Sequence, residues 1–312
     1  MIRLSLELLP SSLLRREGHL LPGLLPHGTR VFLPALPTDP PDAIERALGV
    51  LSREGDGLTV VPHVAAQRVA SADALERQLA AWQSASDGRL REVLVVRGDA
   101  VGHSINGGGA PARPTGGGFE SSIALLETNT LQRGGFDFVW MCGHPEGVAG
   151  LPAAEARRAL HDKLSWAAVA GVRAGVATQF CFDADTTTMW VDELRREGSG
   201  CAVSLGMPGP ASPQLLSRMA DRCSVAPPAA NAGGALGREP QAVGDAASGE
   251  WPWGYARQLA AWQEARGPER GMQALHLYPF GGLQHTLRWL HLAARDNSLA
   301  ALGLNEVSHK SP

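Results

Sequence analysis

Six polar residues stand within or directly after apolar runs of the sequence, where groups able to move protons or bind ligands are unusual. They are Glu7 in LSLELLP, His63 in VVPHV, Asp99 in VVRGD, His144 and Glu146 in CGHPEG, and Gln179 in ATQFCFD. Carboxylates and imidazoles serve as general acids and bases, and an amide both donates and accepts hydrogen bonds. If the runs are barrel strands, these groups meet at the carboxyl ends of the strands.

The two carboxylates each allow a functional and a structural interpretation. Glu7 would be buried at a strand end, and burial raises the pKa of a carboxyl group toward the range useful for a general acid. Alternatively, it points outward into a salt bridge. Asp99 follows Gly98, which permits close backbone approach, and faces the mouth or caps a helix. We discount the RGD triplet as an adhesion signal, because a barrel strand end is not an exposed loop.

His63 and Gln179 also remain open between two kinds of role. His63 could bind a metal, act as a base or form a hydrogen bond in the interior. We expect no metal site, because the sequence holds no HxH or HExxH pattern. Gln179 could contact the edge of a heteroaromatic ring, or it could satisfy backbone groups at its strand end.

Short aliphatic or β-branched runs, ended by turn residues, predict eight strands that are buried on both faces. They are Arg3–Leu8, Arg30–Leu33, Leu58–Val64, Glu92–Val96, Phe136–Cys142, Gly175–Phe180, Gly200–Leu205 and Met272–Leu277. Between them, apolar residues at helical spacing predict helices at Pro41–Glu54, Ser71–Ser84, Glu120–Leu131, Pro152–Ala170, Ser212–Arg222 and Leu283–Ala294. The alternation predicts an α/β protein, a single-domain (β/α)8 TIM barrel over residues 1–312. An open doubly wound sheet is the alternative.

Two segments lack strand or helix patterns and predict long loops. Residues 100–118 contain GGGAPARPTGGG directly after the fourth strand, where barrel active sites are built, and predict a lid. Residues 224–250 are rich in Ala, Gly and Pro and predict a flexible excursion.

Composition excludes several classes of function. The net charge is −3, from 28 basic and 31 acidic residues, without the clustered Lys and Arg that nucleic acid requires. No apolar run spans a bilayer and no signal peptide pattern opens the chain, so we expect a cytoplasmic protein without membrane contact. Four scattered cysteines without a CxxC pair argue against disulfides and structural zinc. A homo-oligomer is compatible with the sequence.

The order of several short motifs resembles the methylenetetrahydrofolate reductase family. The motifs are ELLP at 7–10, PHV at 62–64, VVRGD at 95–99, FESSIALL at 119–126, GHPEG at 143–147, TQFCFD at 178–183, SLGMPGP at 204–210 and LHLYPFGG at 275–282. The resemblance covers most of the chain. It implies a barrel that uses FAD to pass a hydride from NADH or NADPH to 5,10-methylenetetrahydrofolate, or the reverse.

The resemblance also implies roles for individual residues. Glu7 matches the general acid that opens the methylene bridge, and Asp99 matches the aspartate between flavin and pterin. Gln179 matches the glutamine that contacts the substrate or the nicotinamide, and Gln179 and Tyr278 are expected to bind the tetrahydrofolate substrate. The cofactor residues implied are His63, Arg97, Gly98, Asp99, Phe119, His144 and Lys163.

The flavin side departs from the family pattern. The family's polar flavin contacts on the helix after the fifth strand fall on Leu160, Lys163, Trp166 and Ala167. Each lost charge-assisted hydrogen bond is worth about 1.5–3 kcal/mol. Three outcomes follow: FAD bound weakly, FAD bound in an altered pose, or direct hydride transfer from NADH.

Two other functions fit the same residues. One is a tetrahydrofolate-dependent methyl-transfer or demethylation enzyme, which would not depend on reduced nicotinamide. The other is a folate-binding barrel without catalysis. The joint presence of Glu7, Asp99 and Gln179 favours an enzyme.

Overall fold

The computed structural model describes residues 2–15, 25–55, 57–98, 118–148, 151–223, 225 and 251–304. The predicted loops at 100–118 and 224–250 lie outside the described residues, apart from Gly118 and Val225.

Eight parallel strands form a closed barrel in chain order, and the last strand pairs with the first. The strands are β1 Arg3–Glu7, β2 Arg30–Leu33, β3 Thr59–Ala65, β4 Glu92–Val96, β5 Phe138–Gly143, β6 Arg173–Phe180, β7 Ala202–Pro208 and β8 Ala274–Tyr278. The prediction of a (β/α)8 barrel is confirmed. The alternative of an open sheet is wrong, because a closed sheet has no edge.

Helices lie between the strands. They are α1 Pro10–Arg15, α2 Ala43–Glu54, α3 Ala72–Ala85, α4 Ser122–Leu126, α5 Thr130–Arg133, α6 Ala153–Ala170, α7 Ala184–Arg196, α8 Pro213–Arg222, α9 Trp253–Arg270 and α10 Leu283–Ala293. Short 3-10 helices follow at Ala66–Arg68 and Asn297–Leu302. No helix among these described segments is both long and apolar enough to cross a membrane.

One predicted helix, Glu120–Leu131, is wrong. The segment instead forms α4 and α5, two short helices separated by a turn. Asn129 adopts a left-handed conformation with φ of 56°. Asparagine tolerates that conformation because its side chain is short and polar, and a left-handed residue ends the regular helix.

The barrel interior is packed below its mouth. Phe32, Val61, Leu94, Trp140 and Ala177 fill its middle with apolar side chains. At the amino ends of the strands, Arg30 Nε lies 2.8 Å from Glu92 Oε2, and Trp140 Nε1–H donates to the same oxygen at 2.7 Å. In this fold, ligand sites are built above such a packed interior, at the carboxyl ends of the strands.

Candidate functional site

Glu7 points into the barrel from the last position of β1. Its register partner on β2, Phe32, belongs to the interior cluster, and neighbouring register partners face the same side of a sheet. Glu7 Oε1 lies 3.6 Å from Nε2 of His63 on β3, so the two side chains meet across the interior face of β2. The outward salt bridge considered from the sequence is therefore not formed.

Burial changes the protonation of this pair. Burial raises the pKa of the Glu7 carboxyl to about 8 and lowers the pKa of the His63 imidazole to about 3. At neutral pH Glu7 is therefore largely a neutral carboxylic acid, and His63 is a neutral imidazole. The Glu7 side chain keeps 22% of its surface exposed, so it is accessible from the barrel mouth.

Cys142 and Tyr278 belong to the same upper layer of the interior. Burial raises the pKa of the Cys142 thiol to about 11, and Lys163 opposes this while Glu7 adds to it. The Tyr278 hydroxyl donates to the Thr178 carbonyl at 2.9 Å, and burial, reinforced by Glu7, holds its pKa well above its usual value. The Tyr278 hydroxyl is thus bonded to the backbone of β6, and its buried ring packs against His276 and Phe280.

A second group of side chains lies at the end of β5. His144 follows that strand, and its Nδ1 is buried without a hydrogen-bond partner among the described residues. Burial, together with the cation of Lys163, lowers the pKa of His144 to about 4. Lys163 lies on the buried face of α6 between Leu160 and Ala167.

Lys163 is unusual in this chain. Only it and Lys310 are lysines, and Lys310 is outside the described residues. Burial lowers the pKa of the Lys163 ammonium. Within the described part of the chain, no carboxylate pairs with it. A buried cation without a carboxylate partner suits an anionic ligand.

Glu146 joins two loops at the mouth. Its Oε1 accepts hydrogen bonds from the backbone N–H groups of Phe182, at 2.5 Å, and Asp183, at 2.6 Å. Its Oε2 is buried without a partner among the described residues. Burial raises the pKa of Glu146 to about 7, although the two N–H donors act against it. Asp183 in turn caps α7 by accepting from Thr186 N–H at 2.7 Å.

Gln179 lies near the end of β6, where the pairing with β7 shifts register. Its side-chain oxygen accepts from Phe180 N–H at 3.0 Å, which is the backbone role considered from the sequence. Its amide nitrogen makes no hydrogen bond to a described residue. Beside it, the Phe180 ring packs edge-on against Tyr278, at 5.3 Å between centroids, and Phe280, at 4.9 Å. Phe180 and Tyr278 are buried in this cluster, and Phe280 alone among the three rings is partly exposed at the mouth.

The end of β4 is only partly described. Gly98 has φ of +76°, and a Cβ there would lie 2.7 Å from the Cβ of Ala65, so the chain at Gly98 runs close to β3. Arg97 is exposed. Phe119 is half-buried and packs against the core, and its N–H donates to the Ala66 carbonyl at 3.1 Å. Asp99 lies outside the described residues.

The structure thus brings Glu7, His63 and Tyr278 together in one layer. The Cys142 thiol interacts electrostatically with Glu7 and with Lys163, which in turn acts on His144. Arg97 and Phe119 remain at the rim of the barrel. Sequence reasoning did not identify Cys142 as a residue of the candidate site. A signal was present, because Cys142 lies two residues before His144 and side chains two positions apart along a strand face the same side. In the described residues, no three His, Cys, Asp or Glu side chains lie close enough together to hold a metal ion.

A scan against models of known protein families finds none that matches this chain.

Proposed function

We propose that this protein is an oxidoreductase of one-carbon metabolism that interconverts 5,10-methylenetetrahydrofolate and 5-methyltetrahydrofolate with NADH or NADPH. The motif resemblance suggests the reaction. The observation that carries the proposal is Glu7, a carboxylic acid that remains protonated near neutral pH and is accessible from the barrel mouth. That protonation state is the one a general acid needs. A cytoplasmic location stays a prediction from the sequence.

The chemistry requires one proton and one hydride. Glu7 donates its proton to a folate nitrogen while the bond from that nitrogen to the bridging carbon breaks, which leaves an iminium cation. Hydride from the nicotinamide then reduces the bridging carbon to a methyl group. The products are 5-methyltetrahydrofolate and oxidised nicotinamide, and solvent returns a proton to Glu7.

The other residues of the mouth bind and orient the reactants. The partly exposed Phe280 ring offers an apolar contact for the pterin ring, and the Gln179 amide nitrogen offers a donor for its edge. Lys163, with His144 beside it, offers a cation for a phosphate of the dinucleotide. The proposed role of Asp99, between pterin and electron donor, rests on the resemblance alone.

The described residues do not fit the diphosphate of a resident FAD at the positions that the resemblance implies. Leu160 and Ala167 are buried apolar side chains of the core, and Trp166 packs against the same core. Lys163 is the only cation on this buried face of α6. The hydride therefore passes directly from the reduced nicotinamide in this proposal. The absorbance spectrum of the purified protein tests for one directly.

The proposal is tested by steady-state oxidation of NADH with methylenetetrahydrofolate, comparing the wild type with Glu7→Gln. Glutamine keeps the shape of the side chain but has no acidic proton. General acid catalysis contributes about 100- to 10,000-fold, so kcat should fall by about that factor. Glu264→Gln, an exposed position on α9, is the matched control and should keep wild-type turnover.

Three results would contradict the proposal. Full turnover by Glu7→Gln would remove the acid from its assigned role. Formation of methyl products without reduced nicotinamide would favour a methyl-transfer enzyme instead. Tight folate binding by a wild type that is inactive with both NADH and NADPH would favour a binding protein.

A further inference from the structure

His63 is positioned by packing inside the barrel but lacks a hydrogen bond for one ring nitrogen. Its side chain is 7% exposed, and the Phe32 ring lies edge-on to it at 6.1 Å between centroids. Its Nε2 is buried and has no partner among the described residues. Glu7 Oε1 lies 3.6 Å from that nitrogen.

The distance between these atoms is slightly longer than a hydrogen bond. Oxygen and nitrogen atoms in such bonds lie about 2.7–3.2 Å apart, so a movement of about half an ångström joins them. Glu7 is exposed enough to make that movement by rotating its side chain at the barrel mouth. Both groups are neutral at neutral pH, so an acid O–H can donate to an imidazole nitrogen without forming a charge in the interior.

The other polar groups of this layer have different partners. The Tyr278 hydroxyl donates to the Thr178 carbonyl. His276 Nδ1 lies 2.9 Å from Ser5 Oγ. The Cys142 thiol stays neutral because burial raises its pKa, and a thiol is a weak acceptor. Of the groups in this layer, His63 Nε2 is the one that lies 3.6 Å from a Glu7 oxygen and has no other partner among the described residues.

We propose that His63 accepts a hydrogen bond from protonated Glu7 and so holds the acid oriented for proton donation at the barrel mouth. This assignment rests on the proposed function of Glu7. It makes His63 a positioning residue, which acts through Glu7 and does not itself touch the reacting atoms. The motif resemblance gives His63 a different role, at the cofactor.

Two substitutions separate the acceptor from the shape of the side chain. His63→Gln retains an oxygen that accepts a hydrogen bond, whereas His63→Leu removes the acceptor and keeps an apolar side chain in the interior. Misplacement of a catalytic group by about 1 Å costs about 100-fold, so His63→Leu should lower kcat by about 10- to 100-fold with little change in KM. His63→Gln should recover most of that loss.

A second readout does not depend on activity. The infrared C=O stretch of the protonated Glu7 carboxyl is identified as the band that disappears in Glu7→Gln. In His63→Leu this band should move to higher wavenumber, because the carboxyl O–H loses its acceptor, and in His63→Gln it should stay near the wild-type position. His161→Leu is the matched control, since His161 pairs with Glu197 at 2.9 Å on the outside of the barrel. It should leave kcat and the band unchanged.

The two proposals fail in distinguishable ways. If the wild type does not turn over methylenetetrahydrofolate but the band moves in His63→Leu, the contact between Glu7 and His63 stands and the proposed function fails. An unmoved band in His63→Leu overturns the inference, whatever the activity. Equal losses of kcat in His63→Leu and His63→Gln overturn it as well, because the retained acceptor would then have no effect.

Discussion

Replacing Glu7 with glutamine should stabilise the folded protein, and the gain should grow as the pH rises. Glu7 has a pKa of about 8 in the folded state, against 4.5 for an unperturbed glutamate. The folded state therefore holds this proton more tightly than the unfolded chain does. The stability contributed by the proton is fully present below pH 4.5 and is lost as the pH rises toward 8.

The magnitude follows from the difference between these two pKa values. Each unit of pKa difference corresponds to about 1.4 kcal/mol of folding free energy. The loss of stability from ionising Glu7 is therefore at most about 5 kcal/mol, and it is complete above pH 8. Because 22% of the Glu7 side chain is exposed, water reduces this cost. We expect the stability advantage of Glu7→Gln to increase by about 2–3 kcal/mol between acidic and alkaline pH.

Equilibrium urea unfolding measures this difference. The free energies of unfolding of wild type and Glu7→Gln are compared at several values between about pH 5 and about pH 9. Subtracting one curve from the other cancels the titration of all other groups. Glu264→Gln, exposed on α9, is the control and should show a difference that does not vary with pH.

A stability difference between wild type and Glu7→Gln that is constant over this range would contradict a raised pKa for Glu7 in the folded state. So would a difference that grows toward acidic pH, since that sign belongs to a carboxylate stabilised in its charged form. Either result would mean that Glu7 is ionised at neutral pH and could not serve as the acid.

Three further predictions concern single positions. Gly98→Ala should lower the free energy of unfolding by about 2–4 kcal/mol, because the positive φ disfavours alanine and the added Cβ would overlap Ala65. Gly200→Ala is the control, since its Cβ would enter open space, and it should change the free energy of unfolding by less than about 0.5 kcal/mol. Tyr278→Phe should lower the free energy of unfolding by about 1–3 kcal/mol in the same urea assay, because the Thr178 carbonyl loses its hydrogen-bond donor. The Kd for tetrahydrofolate should stay unchanged. A large loss of affinity would show that the hydroxyl binds substrate. Lys163→Met should weaken NADH binding, measured by fluorescence titration, by about 10- to 100-fold, and an unchanged Kd would exclude Lys163 from the anion site.

Local sequence patterns predict much of the barrel. The predicted strands Arg30–Leu33 and Glu92–Val96 agree with the structure to the residue. Both runs are continuously apolar after a polar first residue, and that pattern suits a strand buried on both faces. The apolar spacing of Glu120–Leu131 is helical, but the left-handed conformation of Asn129 divides the segment into two short helices.

The candidate site is less predictable, because its contacts depend on closure of the barrel. The sequence pattern places Glu7 and His63 near the ends of strands. Their distance of 3.6 Å, however, arises because the curvature of the barrel brings side chains of β1 and β3 together over β2. Likewise, the Tyr278 hydroxyl bonds to Thr178, 100 positions earlier in the chain. Neither partner is encoded by local spacing.

The most direct test of the central claim is the stoichiometry of the proposed reaction in the wild-type protein. NADH or NADPH consumed and 5-methyltetrahydrofolate formed are measured in the same reaction mixture, started with methylenetetrahydrofolate. We expect equal amounts of oxidised nicotinamide and methyl product, with both rates falling together in Glu7→Gln. Nicotinamide oxidation without methyl product, or methyl product without nicotinamide oxidation, would contradict it.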